Sequence, residues 1–255
     1  LRVSKDIYSD LATADTAEIF ENTLVFGSKT IKLWGLDTET LYLNSTDRSM
    51  LNGDQGIANK IAMEAICKMA VVQSANELID VTKGHIDGCI LAHDANLIFA
   101  EKMYKLGANV SIPTTINAIS VNLNNWENQG VEPDFGNKAS RLADAYEKMG
   151  GHPTYTCAPY LLEDKPQRDE VIGWSESNAV IYANSILGAK TQKHPDYLDL
   201  FIAMTGRAPK AGVYLNENRI PKIESSVQLP TDFDDSIWPM LGWLIGDLSP
   251  NKIPL

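Results

Sequence analysis

The sequence predicts an α/β fold. Short apolar runs of strand length alternate with longer segments whose apolar residues recur at helical spacing, and glycines stand where those helices should stop. No apolar run reaches the roughly 18 residues a membrane-spanning helix needs.

Taken in order, Leu24-Val25-Phe26 and Thr30-Ile31-Lys32-Leu33-Trp34 read as strands on either side of a Gly27-Ser28 turn, so residues 1–42 are expected to be a hairpin extension or the tail of a preceding domain. From Thr46 the pattern becomes helical, with Ala58, Ile61, Ala62, Ala65, Ile66, Met69 and Ala70 on one face. Cys67 falls inside this helix, where a free thiol packs as a small hydrophobe. Residues 77–81 and 86–91 follow as strand-like runs, then a helix over 95–106 stopped by Gly107, then a strand over 109–112. A second set repeats the alternation: helix 138–149 ending at Gly150-Gly151, strands at 154–157 and 171–174, and helices over 178–187, 197–204 and 234–248. Lys252-Ile253-Pro254-Leu255 reads as the opening of another strand. The expectation is therefore one large domain, residues 43–255, incomplete at its C-terminal end.

Charge narrows the choice of partners. Against 22 Lys and Arg stand 33 Asp and Glu, a net charge of −11, and no basic cluster interrupts the acidic background. Nucleic acid and anionic membrane surfaces need clustered cations and are not expected as partners. The three cysteines, at 67, 89 and 157, are odd in number and widely spaced, which argues against a disulfide framework and for a reducing cytoplasm. The chain starts at Leu1, so the lack of a leader carries no weight.

Three polar clusters break the apolar pattern near predicted element ends, where sites are built. In Gly84-His85-Ile86-Asp87-Gly88-Cys89, His85 and Asp87 are two apart and share one side of a strand, while Cys89 alternates to the other unless the strand ends first. The pair serves a shared ligand or proton, or is a hydrogen-bonded structural pair. Gly84 and Gly88 would let a ligand approach the backbone. Cys157, followed by Ala158-Pro159, is presented at the end of its strand, although a cluster takes several cysteines and no closely spaced set exists. In Glu176-Ser177-Asn178, Ser177 caps the following helix while Glu176 projects into a cleft. Thr114, Thr115 and Asn117 offer hydrogen bonds after a strand, or merely form a turn. Arg207, at a helix end, either pairs with a substrate carboxylate or phosphate or is solvated there. His93, His152 and His194 have no partner visible in the sequence. Phosphate-loop, dinucleotide, serine-hydrolase and zinc-protease signatures are absent.

In series, residues 85–89, 113–117, 156–160, 174–180, 183–189 and 205–209 resemble the aconitase X family, over roughly residues 43–255. The resemblance implies three-layer α/β/α domains around a metal-site cleft, and the catalytic large subunit of a hydro-lyase. It implies an iron or iron–sulfur centre, a small-molecule hydroxy acid substrate, and a small swivelling subunit or domain that brings the catalytic base, a serine. By this resemblance His85, Asp87, Glu176 and Ser177 belong to the chemistry. Thr114, Thr115, Asn117, Asn178 and Arg207 would bind the substrate, with Cys157 and Cys89 on the metal. Asp87 and Cys89 in the first motif, Cys157-Ala158-Pro159, and Asn178 after Glu176-Ser177 are similar to members that convert cis-3-hydroxy-L-proline to Δ1-pyrroline-2-carboxylate. Lys83-Gly84 before the histidine and Asn122 depart from the family pattern. The alternatives are a mevalonate 5-phosphate dehydratase, which needs a cationic phosphate pocket, and a non-catalytic metal or small-ligand binding module on the same fold.

Overall fold

A computed structural model describes Ala17–Phe20, Thr23–Phe26, Lys29–Lys32 and residues 41–249. By its internal contacts the chain divides into residues 1–42 and residues 43–255. In the first unit, β1 (Ala17–Phe20), β2 (Thr23–Phe26) and β3 (Lys29–Lys32) form an antiparallel meander, so the expected hairpin is two of three strands.

The second unit begins with two helices where one was expected. Helix α1 (Ser45–Asn52) carries a capping box: Asn44 Oδ1 accepts from the Asp47 amide at 2.8 Å, and Asp47 Oδ2 accepts from the Asn44 amide at 3.1 Å. It ends at Gly53, whose φ of +88° only glycine adopts without strain. Helix α2 (Ile57–Val72) then starts after Gly56 and buries Ala58, Ala62, Met63, Ile66, Cys67 and Ala70, so the expected face is centred on Ala58, Ala62, Ile66 and Ala70, with Met63 and Cys67 inside it and Ile61, Ala65 and Met69 only partly buried.

Next come β4 (Leu78–Asp80), β5 (Lys83–Ile86), α3 (Asp94–Lys105) and β6 (Thr114–Ile116). The strand expected over 109–112 does not form. Its Val110 and Ser111 amides are taken by the carbonyls of Met149 and Ala203, which hold the segment to helix ends, and the strand begins after Pro113. Helix α4 (Pro133–Lys148), β7 (Ile172–Trp174), α5 (Ser177–Tyr182), α6 (Leu198–Thr205), β8 (Arg207–Pro209) and α7 (Ile237–Leu248) complete the order. Helix α5 continues into a π-helical turn, Ala183–Leu187, closed by Gly188. Residues 154–157 are not a strand either: the Thr154 hydroxyl and the Thr156 amide both bond the Ile116 carbonyl, bending the chain across the end of β6. The strand expected from residue 252 lies outside the described residues.

The sheet that matters is parallel, in the order β6-β5-β7. Parallel bridges from Thr115 to His152 and from Val171 to Lys190 extend it by one position on each side. On one face, Ile86 and Ile116 pack with Leu97, Ala100, Leu142, Tyr146, Leu200 and Met204 from α3, α4 and α6. Gly84 and Gly173 face the same helix layer. A Cβ on Gly173 would lie 2.5 Å from Ile202 Cγ2, and one on Gly84 would lie 3.2 Å from the Cβ of Ala203. Gly84 therefore serves the close approach of a helix on this face. On the other face, Ile172 and Trp174 pack with Ala179, Ala183 and Ala189, giving the expected three layers. Strands β4 and β8 form a separate antiparallel ladder. None of the side chains of α7 is buried, and Trp238, Met240, Trp243 and Leu248 are exposed. Among the described residues no helix is long and apolar enough to cross a membrane.

Candidate active site at the strand ends

Because β5, β6 and β7 run parallel, their carboxyl ends open on one edge, the place where α/β sheets bind ligands. Asp87 follows β5, Asn117 follows β6, and Ser175 and Glu176 follow β7. The Lys190 extension brings Lys193 to the same edge, and the loop after His152 brings Cys157.

Asn117 is the hinge of the arrangement. Its side-chain oxygen accepts from the Ala118 amide at 2.7 Å, which leaves both amide hydrogens for acids: one goes to Asp87 Oδ1 at 2.6 Å and the other to Glu176 Oε2. Two carboxyl groups are thus held on either side of one buried amide. Glu176 is pushed above the usual carboxylate range, first by burial and then by Asp87 beside it, while Asn117 and the charge of Lys193 act against the shift. Two acids this close favour holding a proton between them. Lys193 Nζ donates to the Ser175 carbonyl and lies 3.7 Å from Asp87 Oδ2.

Beneath the pair sits Asp199, fully buried in the first turn of α6. Its Oδ2 accepts from the Asp87 amide at 2.7 Å and from the Ser175 hydroxyl at 2.5 Å, and its Oδ1 accepts from the Leu200 amide at 2.7 Å. Burial raises it to about 6, with the three hydrogen bonds pulling the other way. One carboxylate therefore ties the end of β5 to the end of β7. The Asp87 amide, spent on Asp199, is also why β5 stops at Ile86 and does not run on to residue 91.

Of the residues singled out in the sequence, Asp87, Asn117 and Glu176 come together. His85 does not join them: it lies in register with Thr115 and Trp174, its Nδ1 2.7 Å from Thr115 Oγ1 and its ring edge-on to Trp174. Burial lowers it to about 4, opposed by the charge of Asp87, so the imidazole is neutral. The shared strand side expected for His85 and Asp87 fails because the strand has ended by Asp87. Ser177 does not cap α5. It is the first helical residue and is exposed, while Glu176 occupies the cap position with its carboxylate turned to Asn117. Asn178 donates to the Cys157 carbonyl at 2.9 Å and so holds the Cys157 loop to the helix start.

Thr114 and Thr115 line a different space, a cavity of about 490 Å³ with Lys83, His152, Asp164 and Trp174 around it, and none of Asp87, Asn117 and Glu176 lines it. The Thr114 hydroxyl is spent on the Ile112 carbonyl at 2.8 Å. Arg207 is on β8, in the other sheet. Its Nε and Nη2 reach the two oxygens of buried Asp47 at 2.8 and 3.1 Å, and its Nη1 pairs with Asp80. The charge expected to hold a substrate instead neutralises an acid in the protein.

The two thiols proposed for a metal part company. Cys89 is buried, its Sγ 3.3 Å from the Ile86 carbonyl, and burial pushes the thiol well above its ordinary range, away from the thiolate a metal takes. Cys157 is exposed at the strand-end edge. Among the described residues no three His, Cys, Asp or Glu side chains gather as a metal site, so these residues do not by themselves fit an iron or iron–sulfur centre. Lys193, Ser175 and Asp199 were not anticipated. Their only sequence signal is position, at the ends of a strand or the start of a helix, and the Lys190 extension is too short to read as a strand.

Comparison with known proteins agrees with the motif series. The family described as Aconitase X first domain matches residues 40–217. A cis-3-hydroxy-L-proline dehydratase of Hypocrea jecorina is 47% identical over 218 residues, 85% of this chain and 37% of that protein. One from Pseudomonas aeruginosa is 46% identical over 83% of this chain and 37% of its own length. A phosphomevalonate dehydratase large subunit of Methanothermobacter thermautotrophicus is 30% identical over 84% of this chain and 54% of its own. Among solved structures, the holo form of aconitase X from Thermococcus kodakaraensis superimposes with a TM-score of 0.75 at 30% identity, covering 84% of this chain and 53% of that one. The chain thus spans less than two fifths of the two hydroxyproline dehydratases and about half of the archaeal proteins.

Proposed function

The chain belongs to the aconitase X family, and on that footing we propose that it supplies the catalytic strand-end site of a hydro-lyase that converts cis-3-hydroxy-L-proline to Δ1-pyrroline-2-carboxylate. The observation that carries the reading is the Asp87–Asn117–Glu176 arrangement, two carboxyl groups on one amide at the carboxyl edge of a parallel sheet.

The reaction removes a proton from Cα and hydroxide from C3. Hydroxide is a poor leaving group until it is protonated, so the acid must be in place when the carbon–oxygen bond breaks. The Asp87–Glu176 pair, with Glu176 raised by burial, holds that proton, and donation to the 3-hydroxyl releases water. Asn117 fixes both carboxyl groups before substrate arrives, so no reorientation is needed during the reaction. The proton at Cα goes to a base on a small subunit or domain, the part its relatives' name "large subunit" implies. Loss of both groups leaves the C2=C3 enamine, which shifts a proton to become the ring imine.

An iron or iron–sulfur centre enters through the family alone. Of the described thiols Cys157 is the exposed one and would be the thiolate offered to it, and among the described residues no group of three or more His, Cys, Asp or Glu gathers as a metal site.

The rival substrate, mevalonate 5-phosphate, needs free cations. Arg207 is bound to Asp47 and Asp80 and so is spent within the protein, and Arg219 donates to Asn184 Oδ1 at 2.6 Å and to the Ala189 carbonyl at 3.1 Å, away from the Asp87–Asn117–Glu176 edge. Side-by-side assays on the two substrates, with the protein isolated together with any subunit that co-purifies and loaded anaerobically with iron, test the reading. Turnover of the hydroxyproline alone is expected. Turnover of mevalonate 5-phosphate alone overturns the substrate and keeps the hydro-lyase.

A further inference from the structure

We infer that Lys193 is the anchor for the substrate's carboxylate, an inference that rests on the dehydratase reading above. A carboxylate arriving at this edge meets the partly buried Asp87 and Glu176 and, behind them, the fully buried Asp199, so without a cation the site repels the acid it should bind. The cations elsewhere on the sheet are engaged: Lys83 pairs with Asp164 at 2.5 Å, and Lys190 with Asp169 at 3.2 Å. Both belong to segments whose side chains precede the carboxyl edge. Lys193 stands at that edge, its side chain half exposed and its charge felt by both acids.

The ammonium has three N–H donors. The Ser175 carbonyl takes one, and this bond holds Nζ at the end of β7, beside Asp87 Oδ2. Asp87 Oδ2, at 3.7 Å, is too far for a hydrogen bond, so it attracts the ammonium without consuming a donor. Two donors remain for a substrate carboxylate beside the groups that protonate its hydroxyl. In this geometry Lys193 orients the acid end while the carboxyl pair faces the 3-hydroxyl.

The test uses the protein with any subunit that co-purifies. KM and kcat for cis-3-hydroxy-L-proline are measured for wild type, Lys193→Met and Lys193→Arg, and L-proline and L-prolinamide are compared as inhibitors of each. Losing a charge-assisted contact of this kind raises KM by about 10- to 100-fold. For Lys193→Met we expect that rise with a smaller change in kcat, together with loss of the preference for proline over the amide, which lacks the carboxylate. Lys193→Arg, which keeps the charge, retains the preference and guards against a methionine variant that fails to fold. A merely structural lysine would weaken both inhibitors alike. Wild-type turnover with the acid-over-amide preference intact in Lys193→Met, or lost equally in Lys193→Arg, overturns the anchor alone. No wild-type turnover of the hydroxyproline overturns the dehydratase reading and the anchor with it.

Discussion

Lowering the pH from 7 to 4 should destabilise the domain of residues 43–255, by an amount that three buried groups set. His85 and His194 are fully buried, and burial brings each from 6.5 down to about 4. A histidine whose folded pKa is depressed takes up its proton more readily when the chain unfolds. Its stability contribution is complete above 6.5 and is lost as the pH falls toward 4. Over that span each histidine costs about 3 kcal/mol. Asp199 acts in the opposite sense, since burial raises it from 3.8 to about 6 and the folded form binds the proton first. Its protonation offsets about 2.5 kcal/mol over the same range, and the raised Glu176 adds to that side. Two histidines against one aspartate leave a net loss of about 3 kcal/mol between pH 7 and pH 4. Urea unfolding followed by tryptophan fluorescence at pH 7, 6, 5 and 4 measures it. His194→Gln, which can still donate to Tyr214, should remove roughly half of the histidine contribution and flatten the profile. Wild-type stability that is level or higher at pH 5 than at pH 7 would refute the sign, and an unchanged slope in His194→Gln would refute the assignment.

Two further outcomes separate structural from functional roles. Arg207→Ala leaves Asp47 buried without its partner and should cost about 3–5 kcal/mol of stability while leaving KM for the folded fraction near wild type; a raised KM at unchanged stability would return Arg207 to the substrate site. In native protein freed of metal, a water-soluble thiol reagent should modify Cys157 alone, because Cys157 is exposed while burial pushes Cys67 up to about 12 and Cys89 well above its ordinary value; mass spectrometry showing Cys89 modified as fast as Cys157 would restore it as an accessible ligand.

Periodicity made α2, α3, α4 and α6 legible, because a helix that buries one face repeats its apolar residues whatever it packs against. The short parallel strands were less so. A strand of three residues, such as Thr114–Ile116, carries too few positions for a period, and the more apolar stretch at 109–112 drew the prediction although its amides serve helix ends. Of the residues in the motif series, Asp87, Asn117 and Glu176 meet at the carboxyl edge of the sheet, while His85, Thr114 and Arg207 turn elsewhere. What decided each case was where the strand stopped or which acid stood nearby. Arg207 reads identically in sequence whether it faces a substrate or Asp47, which lies 160 positions away.

Asp199 shows why the site resists sequence reading and why it has the form it does. A buried aspartate at the start of a helix resembles an ordinary capping residue. Here it accepts from the amide at the end of one strand and from a hydroxyl at the end of another, so the strand ends that carry Asp87 and Glu176 are tied together by a third, fully buried acid. Keeping that third acid dry raises its pKa, and its three donors are what hold it in place at neutral pH. The arrangement therefore costs stability at high pH that a neutral residue would not. Such a cost is consistent with a requirement on the distance between Asp87 and Glu176. Packing alone would be satisfied by any side chain of similar volume, whereas a shared proton requires both carboxyl groups to stay within reach of one amide.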